Sequence, residues 1–179
     1  MGMTKPTIPS LFISHGAPTL AVEDGPTSQF LRELAASFPE PFAIVVVSSH
    51  WETPDPAITG AKELETIHDF YGFQDSLYDL RYPALGDPGL AQQLQKTLAD
   101  AGIPTAIDEH RGLDHGAWNP LLLMYPFSHI PVLQLSVQPH RDARWHFDIG
   151  KLLRPLHEAG ILIIGSGNLT HNLREAMRG

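Results

Sequence analysis

Three histidines stand at the ends of apolar runs. His15 follows "SLFIS" (10–14), His50 closes "AIVVVSS" (43–49), and His171 comes just after "ILIIGSGN" (161–168). Imidazole is the commonest protein ligand for transition metals and titrates near neutrality, so the chemistry suggested is divalent-metal binding, proton transfer, or both. The neighbouring residues Ser14, Gly16, Ser48, Ser49, Gly165 and Gly167 are small and leave room for a bound group. Any one of these histidines alone reads more simply as a hydrogen-bonded structural residue; three at equivalent positions favour a shared site. A fourth, His115, sits in "RGLDHGAWNPLLLMYP" (111–126), in a loop near a helix start, where it would cap that helix or face a pocket. Asp114 beside it is of the type that orients a ring from behind. His68, in "TIHDFYGF" (66–73), reads equally as a structural residue or a substrate contact. His110, His129, His140, His146 and His157 have no comparable setting and read as surface or helix-face residues.

Strands must position these side chains. Apolar runs of strand length occur at 10–14, 43–48, 131–137 and 161–164, with weaker ones at 57–61 and 103–107. Helical patterns lie between them. "SQFLRELAASF" (28–38) puts Phe30, Leu31, Leu34 and Phe38 on one face, and 87–102 opens on Asp87-Pro88, repeats Leu90, Leu94 and Leu98, and stops at Gly102. A further helix over 143–160 should break or kink at Pro155. Strands alternating with helices, and apolar on both faces, predict an α/β fold: a mostly parallel central sheet with helices on both faces. In such sheets ligands bind beyond the carboxyl ends of the strands, which is where a metal site on these histidines would lie. The segment 62–86 breaks the alternation and is aromatic-rich, as a lid or pocket wall would be. With 179 residues and no linker or repeat, a single domain over 1–179 is expected.

Bulk properties narrow the classes. A net charge of −8 argues against a nucleic-acid or anionic-membrane partner. The absence of cysteine excludes disulfides, thiolate metal sites and cysteine nucleophiles, so a metal must use His, Asp, Glu or backbone oxygen. The opening "MGMTKPTIPS" lacks the apolar core of a signal peptide, and no apolar run approaches membrane-spanning length, so a cytoplasmic location is expected. "GSGN" (165–168) lacks the lysine and spacing of a phosphate loop, and neither a GxSxG nor an HExxH motif occurs.

The segments "LFISHGAP", "AIVVVSSHW", "TIHDFYGFQDSLYDLRYPALG", "LDHGAWNPLLLMYP", "IPVLQLSV", "WHFDIGKLL" and "GSGNLTHNLR" together resemble the class III extradiol ring-cleavage dioxygenases (LigB-like), in their 4,5-DOPA dioxygenase-like branch, in the family's order and over almost the whole chain. The resemblance implies one Fe(2+) or Zn(2+) per chain, a small aromatic diol as substrate, and O2 as co-substrate. It implies His15 and His50 as metal ligands, His171 as acid/base residue at the metal and a contact of it, and His115 as a second pocket histidine meeting substrate or oxygen. His68 and Asp114 are the remaining substrate-side candidates. Family members continue past the "HNLR" segment to a third ligand in a Pro-Glu-His-like motif, which does not occur in these 179 residues. The expectation is therefore a domain without the family's C-terminal segment, its site completed by His171, His115, Asp114 or a partner subunit. Uncovered apolar surface would then favour a homodimer. Two alternatives stand beside the dioxygenase: a zinc-dependent hydrolase using the same histidines, and a catalytically impaired remnant that only binds metal.

Overall fold

The computed structural model describes residues 8–168. In chain order the elements are β1 (Ser10–Ser14), α1 (Pro26–Ala36), β2 (Ala43–Glu52), β3 (Ala57–Thr59), β4 (Glu63–Leu64), α2 (Asp75–Tyr78), β5 (Ala84–Leu85), α3 (Pro88–Asp100), β6 (Ala106–Asp108), α4 (His115–Met124), β7 (Val132–Val137), α5 (Ala143–Leu153), α6 (Pro155–Glu158) and β8 (Ile161–Gly167). Six strands form one sheet in the order β1-β8-β2-β7-β3-β6. The first four run parallel to one another, β3 is antiparallel to β7, and β6 is parallel to β3. This is the mostly parallel α/β architecture expected, with the last two strands of the order, β3 and β6, reversed.

The side-chain alternation of the central strands feeds two cores. Ile44 and Val46 of β2, with Leu162 and Ile164 of β8, join Leu31 of α1 and Trp118 and Leu121 of α4 on one face. Val45, with Leu133 and Leu135 of β7, meets Leu94 and Leu98 of α3 and Ile149 and Leu153 of α5 on the other. Helix α3 is stopped and started as its sequence implies: the Asp87 side chain accepts from the Leu90 N–H at 2.9 Å, and Gly102 takes the left-handed conformation at φ 78°. The break at Pro155 divides α5 from α6, because proline cannot supply the N–H that a continuous helix needs. One expectation fails in α1: Phe30 is 58% exposed, and Leu31 rather than Phe30 is the buried anchor.

The parallel run of β1, β8, β2 and β7 brings their carboxyl ends to one edge of the sheet. Strand β2 runs on past His50 to Glu52, and its register against β7 shifts between Val47 and Glu52. A bulge of this kind re-aims side chains locally, and here it falls on the stretch that carries His50. Segment 62–86 folds its ends together as the β4–β5 hairpin and carries the short helix α2 between them. No helix among the described residues is long and apolar enough to cross a membrane.

Candidate metal centre

The sheet edge collects His15, directly after β1, His50 on β2 and His115 at the first turn of α4. One ring nitrogen from each lies within 4.8 Å of the others. Ring centroids are 4.9 Å apart for His15 and His50, 5.2 Å for His15 and His115, and 4.1 Å for His50 and His115. His15 and His115 are buried, while His50 reaches solvent, so the cluster has one open side.

The backbone around each ring explains its placement. Gly16 takes φ 65°, a left-handed turn that an L side chain resists, and so lets the chain reverse directly after His15. The buried Asn119 of α4 holds that turn, donating from Nδ2 to the His15 carbonyl at 3.1 Å and the Ala17 carbonyl at 3.0 Å. Behind His50, the Ser48 hydroxyl accepts from the His50 N–H at 3.2 Å and donates to Asp114 Oδ1 at 2.7 Å. Gly116 completes the packing: a Cβ there would lie 3.1 Å from His50 Cδ2 and 3.2 Å from Asp114 Oδ1, and would overlap Ser48 Oγ.

Hydrogen bonds decide which nitrogen of the His15 and His115 rings carries the proton. The Ser166 hydroxyl of β8 donates to the Gly116 carbonyl, so it must accept from His15 Nδ1–H, 2.8 Å away. His15 therefore carries its lone pair on Nε2. That nitrogen lies 3.0 Å from His50 Nε2. His115 Nδ1 lies 3.0 Å from Asp69 Oδ1, and His50 Nδ1 lies 3.4 Å from Asp69 Oδ2. An ionised carboxylate only accepts, so the His115 ring, hydrogen-bonded to Asp69, turns Nδ1–H toward it and keeps its lone pair on Nε2. The His15–His50 contact, by contrast, needs a proton on one of its two Nε2 atoms when no cation lies between them. Partial burial pushes the Asp69 carboxyl up. The hydrogen bonds from the His115 ring and backbone N–H, with the charge attraction of the imidazole, outweigh this and leave it below the usual aspartate value. Asp69 is thus a carboxylate at neutral pH.

This donor set suits a divalent transition metal. Imidazole nitrogens about 2.1 Å from one ion sit roughly 3 Å apart when they share one side of it. The His15–His50 separation of 3.0 Å has that spacing. Two lone pairs at that distance repel unless a proton or cation lies between them, and nitrogen ligands with an open side suit iron or zinc.

The other anticipated residues are placed as follows. Asp114 is completely buried, and its carboxylate is engaged by Ser48, by Arg111 at 3.1 Å and by the Gln134 side-chain amide. It reaches the cluster only through Ser48 and the strand beneath His50. His68 Nε2 lies 3.1 Å from the Leu80 carbonyl. It lines a cleft of about 730 Å³ with Glu63, Thr66, Arg81 and Leu85, to which the three clustered histidines do not contribute. Phe70 links the two regions, edge-on to His68 at 5.7 Å and to His115 at 5.8 Å, so segment 62–86 does wall the cluster with aromatic surface. His171 lies outside the described residues. Sequence reading missed Asp69, singling out its neighbour His68 instead. The available signal was an acid directly beside His68 in an irregular segment, of the type that can accept from a histidine ring.

Residues 9–179 match the family described as the catalytic LigB subunit of aromatic ring-opening dioxygenase. The chain is 44% identical over 173 residues to a 4,5-DOPA dioxygenase extradiol of Escherichia coli (strain K12), covering 96% of this chain and 63% of that protein. It is 48% identical over 167 residues to a 4,5-DOPA dioxygenase extradiol of Beta vulgaris, covering 90% of this chain and 62% of that one. A crystal structure of an uncharacterized protein from Escherichia coli K12 superposes with a TM-score of 0.78 at 40% identity, covering 93% of this chain and 62% of the other. The chain spans less than two thirds of the length of these relatives.

Proposed function

Since the chain belongs to the LigB family of aromatic ring-opening dioxygenase catalytic subunits, we propose that it acts in extradiol cleavage of a catechol-type, DOPA-like ring by O2. The observation that carries this reading is the convergence of three imidazoles within 4.8 Å, at the open edge of the sheet. In this proposal His15, His50 and His115 hold the metal, either Fe(2+) or Zn(2+). His171 remains the proposed acid/base residue. A divalent metal there would supply Lewis acidity toward the two hydroxyls of the diol and, as Fe(2+), the electrons that make O2 reactive.

The chain's own residues do the rest. Ser166 and Asp69 keep the Nδ1 protons of His15 and His115 turned outward, so that the Nε2 lone pairs of these two rings face inward. Phe70, edge-on to His115, gives an aromatic ring a surface to pack against and helps exclude water from that side. Asp114 supports His50 from behind through Ser48. His68 is assigned to the outer wall, where it would meet whatever extends beyond the ring. The exposed Phe12 on edge strand β1 favours a homodimer, which sedimentation would test, and the cysteine-free composition fits a cytoplasmic location.

The test is anaerobic Fe(2+) titration of the purified chain, followed by oxygen-electrode traces with a panel of catechols, with His50→Ala as control. One equivalent bound and His50-dependent oxygen uptake are expected. Metal binding with flat oxygen traces and zinc-dependent hydrolysis would replace the dioxygenase with the hydrolase. Absence of both binding and uptake would reject the enzymatic reading.

A further inference from the structure

We propose that Arg81 is a specificity-determining residue: with Glu63 and Glu65 it receives an α-amino acid group on the tail of the substrate, in the cleft of about 730 Å³ that these residues line with His68. The inference rests on the ring-cleaving reading of the histidine centre. Its evidence is a guanidinium held by one nitrogen only. Arg81 Nη1 donates to the Tyr78 carbonyl at 2.6 Å and to the Leu80 carbonyl at 2.7 Å. Its Nε and Nη2 make no hydrogen bond among the described residues. That edge, two parallel N–H groups on a planar cation, is the one that matches a carboxylate bidentately. Glu63 and Glu65 are exposed beside it, and neither forms an ion pair among the described residues. A bare anion in this cleft meets two carboxylates, and a bare cation meets a guanidinium. An α-amino acid group presents one charge of each sign and suits both.

The walls of the cleft are fixed before any ligand arrives. Glu63 pairs with Leu85 in the β4–β5 hairpin, the Thr66 hydroxyl accepts from the Tyr82 N–H at 2.8 Å, and the Glu65 carbonyl accepts from the Leu113 N–H at 2.8 Å. Leu113 directly precedes Asp114 and His115, so the cleft is braced against the loop that carries one member of the histidine cluster. A site held in this way loses little binding free energy to ordering itself. The path between cleft and centre is short. His68 lies edge-on to Phe70 at 5.7 Å, and Phe70 lies edge-on to His115 at 5.8 Å. One aromatic ring thus separates the cleft wall from the cluster. A catechol packed on Phe70, with its hydroxyls toward the imidazoles, has a tail of a few bonds within reach of Arg81.

The experiment compares L-DOPA with 4-methylcatechol, the same ring without the charged tail, on the full chain supplied with Fe(2+). Arg81→Gln is expected to lower the ratio of kcat/KM for L-DOPA over 4-methylcatechol about 10–100-fold, the range for losing hydrogen bonds to a charged partner. Arg81→Lys keeps the charge without the fork and should recover only part of that ratio. The double variant Glu63→Gln/Glu65→Gln should instead lower the preference for dopamine, which carries the ammonium alone. Circular dichroism checks that each variant is folded, and if Arg81→Gln is not, Arg81→Lys reads the same ratio. A merely structural Arg81 would move both substrates together. A ratio left at the wild-type value therefore overturns the proposal, while the ring-cleaving reading stands. If no catechol draws oxygen uptake, the ring-cleaving reading falls, and anaerobic calorimetry decides the cleft alone. Tighter binding of L-DOPA than of 4-methylcatechol, lost in Arg81→Gln, supports it; equal binding, or none, overturns it.

Discussion

At the scale of single residues, the centre depends on small groups behind the imidazoles as much as on the imidazoles themselves. Ser166 is buried, and its hydroxyl is the acceptor that keeps His15 in the Nδ1–H form. Ser166→Ala is expected to let His15 adopt either tautomer and to weaken Zn(2+) binding about tenfold, read by competition with a chromophoric chelator. Gly116 has a different role, because its missing side chain is what allows α4 to approach β2 so closely. The added methyl of Gly116→Ala would overlap Ser48 Oγ and crowd His50 Cδ2 at 3.1 Å. The neighbours there are a strand residue and a candidate ligand, neither able to withdraw cheaply. That variant is expected to lose about 1–3 kcal/mol of stability through overpacking, and to bind metal more weakly, in paired urea and metal titrations. The pattern Asp114-His115-Gly116 marked this neighbourhood in the sequence, but the reason for its glycine lies on another strand.

At the scale of elements, two supports of unlike kind can be separated by mutation. Asp114 ties β2, β7 and the loop before α4 through Ser48, Gln134 and Arg111. Asp114→Ala would leave a half-buried guanidinium without its carboxylate, and the stranded-charge penalty predicts a loss of about 3–5 kcal/mol in urea unfolding. Because Ser48 also bonds the His50 N–H, metal affinity should fall with it. Leu94 of α3 belongs to the core on the other face of the sheet. Leu94→Ala is expected to cost about 2–5 kcal/mol by opening a cavity, while Zn(2+) affinity of the folded protein stays at the wild-type value. The apolar runs and the Leu90, Leu94, Leu98 stripe made these strands and helices legible before folding was known. The reversed direction of β3 and β6 and the exposure of Phe30 were not legible, since they depend on which neighbours an element finds.

At the scale of the whole molecule, a centre assembled from β1, β2, α4 and segment 62–86 exists only when the sheet is folded. Any metal it holds must therefore stabilise the native state over the unfolded chain. At a free Zn(2+) concentration 100 times the dissociation constant, the gain should be about 2.7 kcal/mol. It should appear as a rise in Tm that a chelator reverses and that His50→Ala lacks. The histidine-bearing strands and the chemistry of their imidazoles were determined by the sequence alone, because apolar runs and residue types are local properties. What the tertiary structure decided is the company each ring keeps. His15 meets Ser166 across 151 positions, and His115 meets Asp69 across 46. Those pairings follow from the strand order β1-β8-β2-β7 and from the path of an irregular segment back over the sheet edge. Local periodicity carries no record of either, since they arise only from the packing of distant elements against one another.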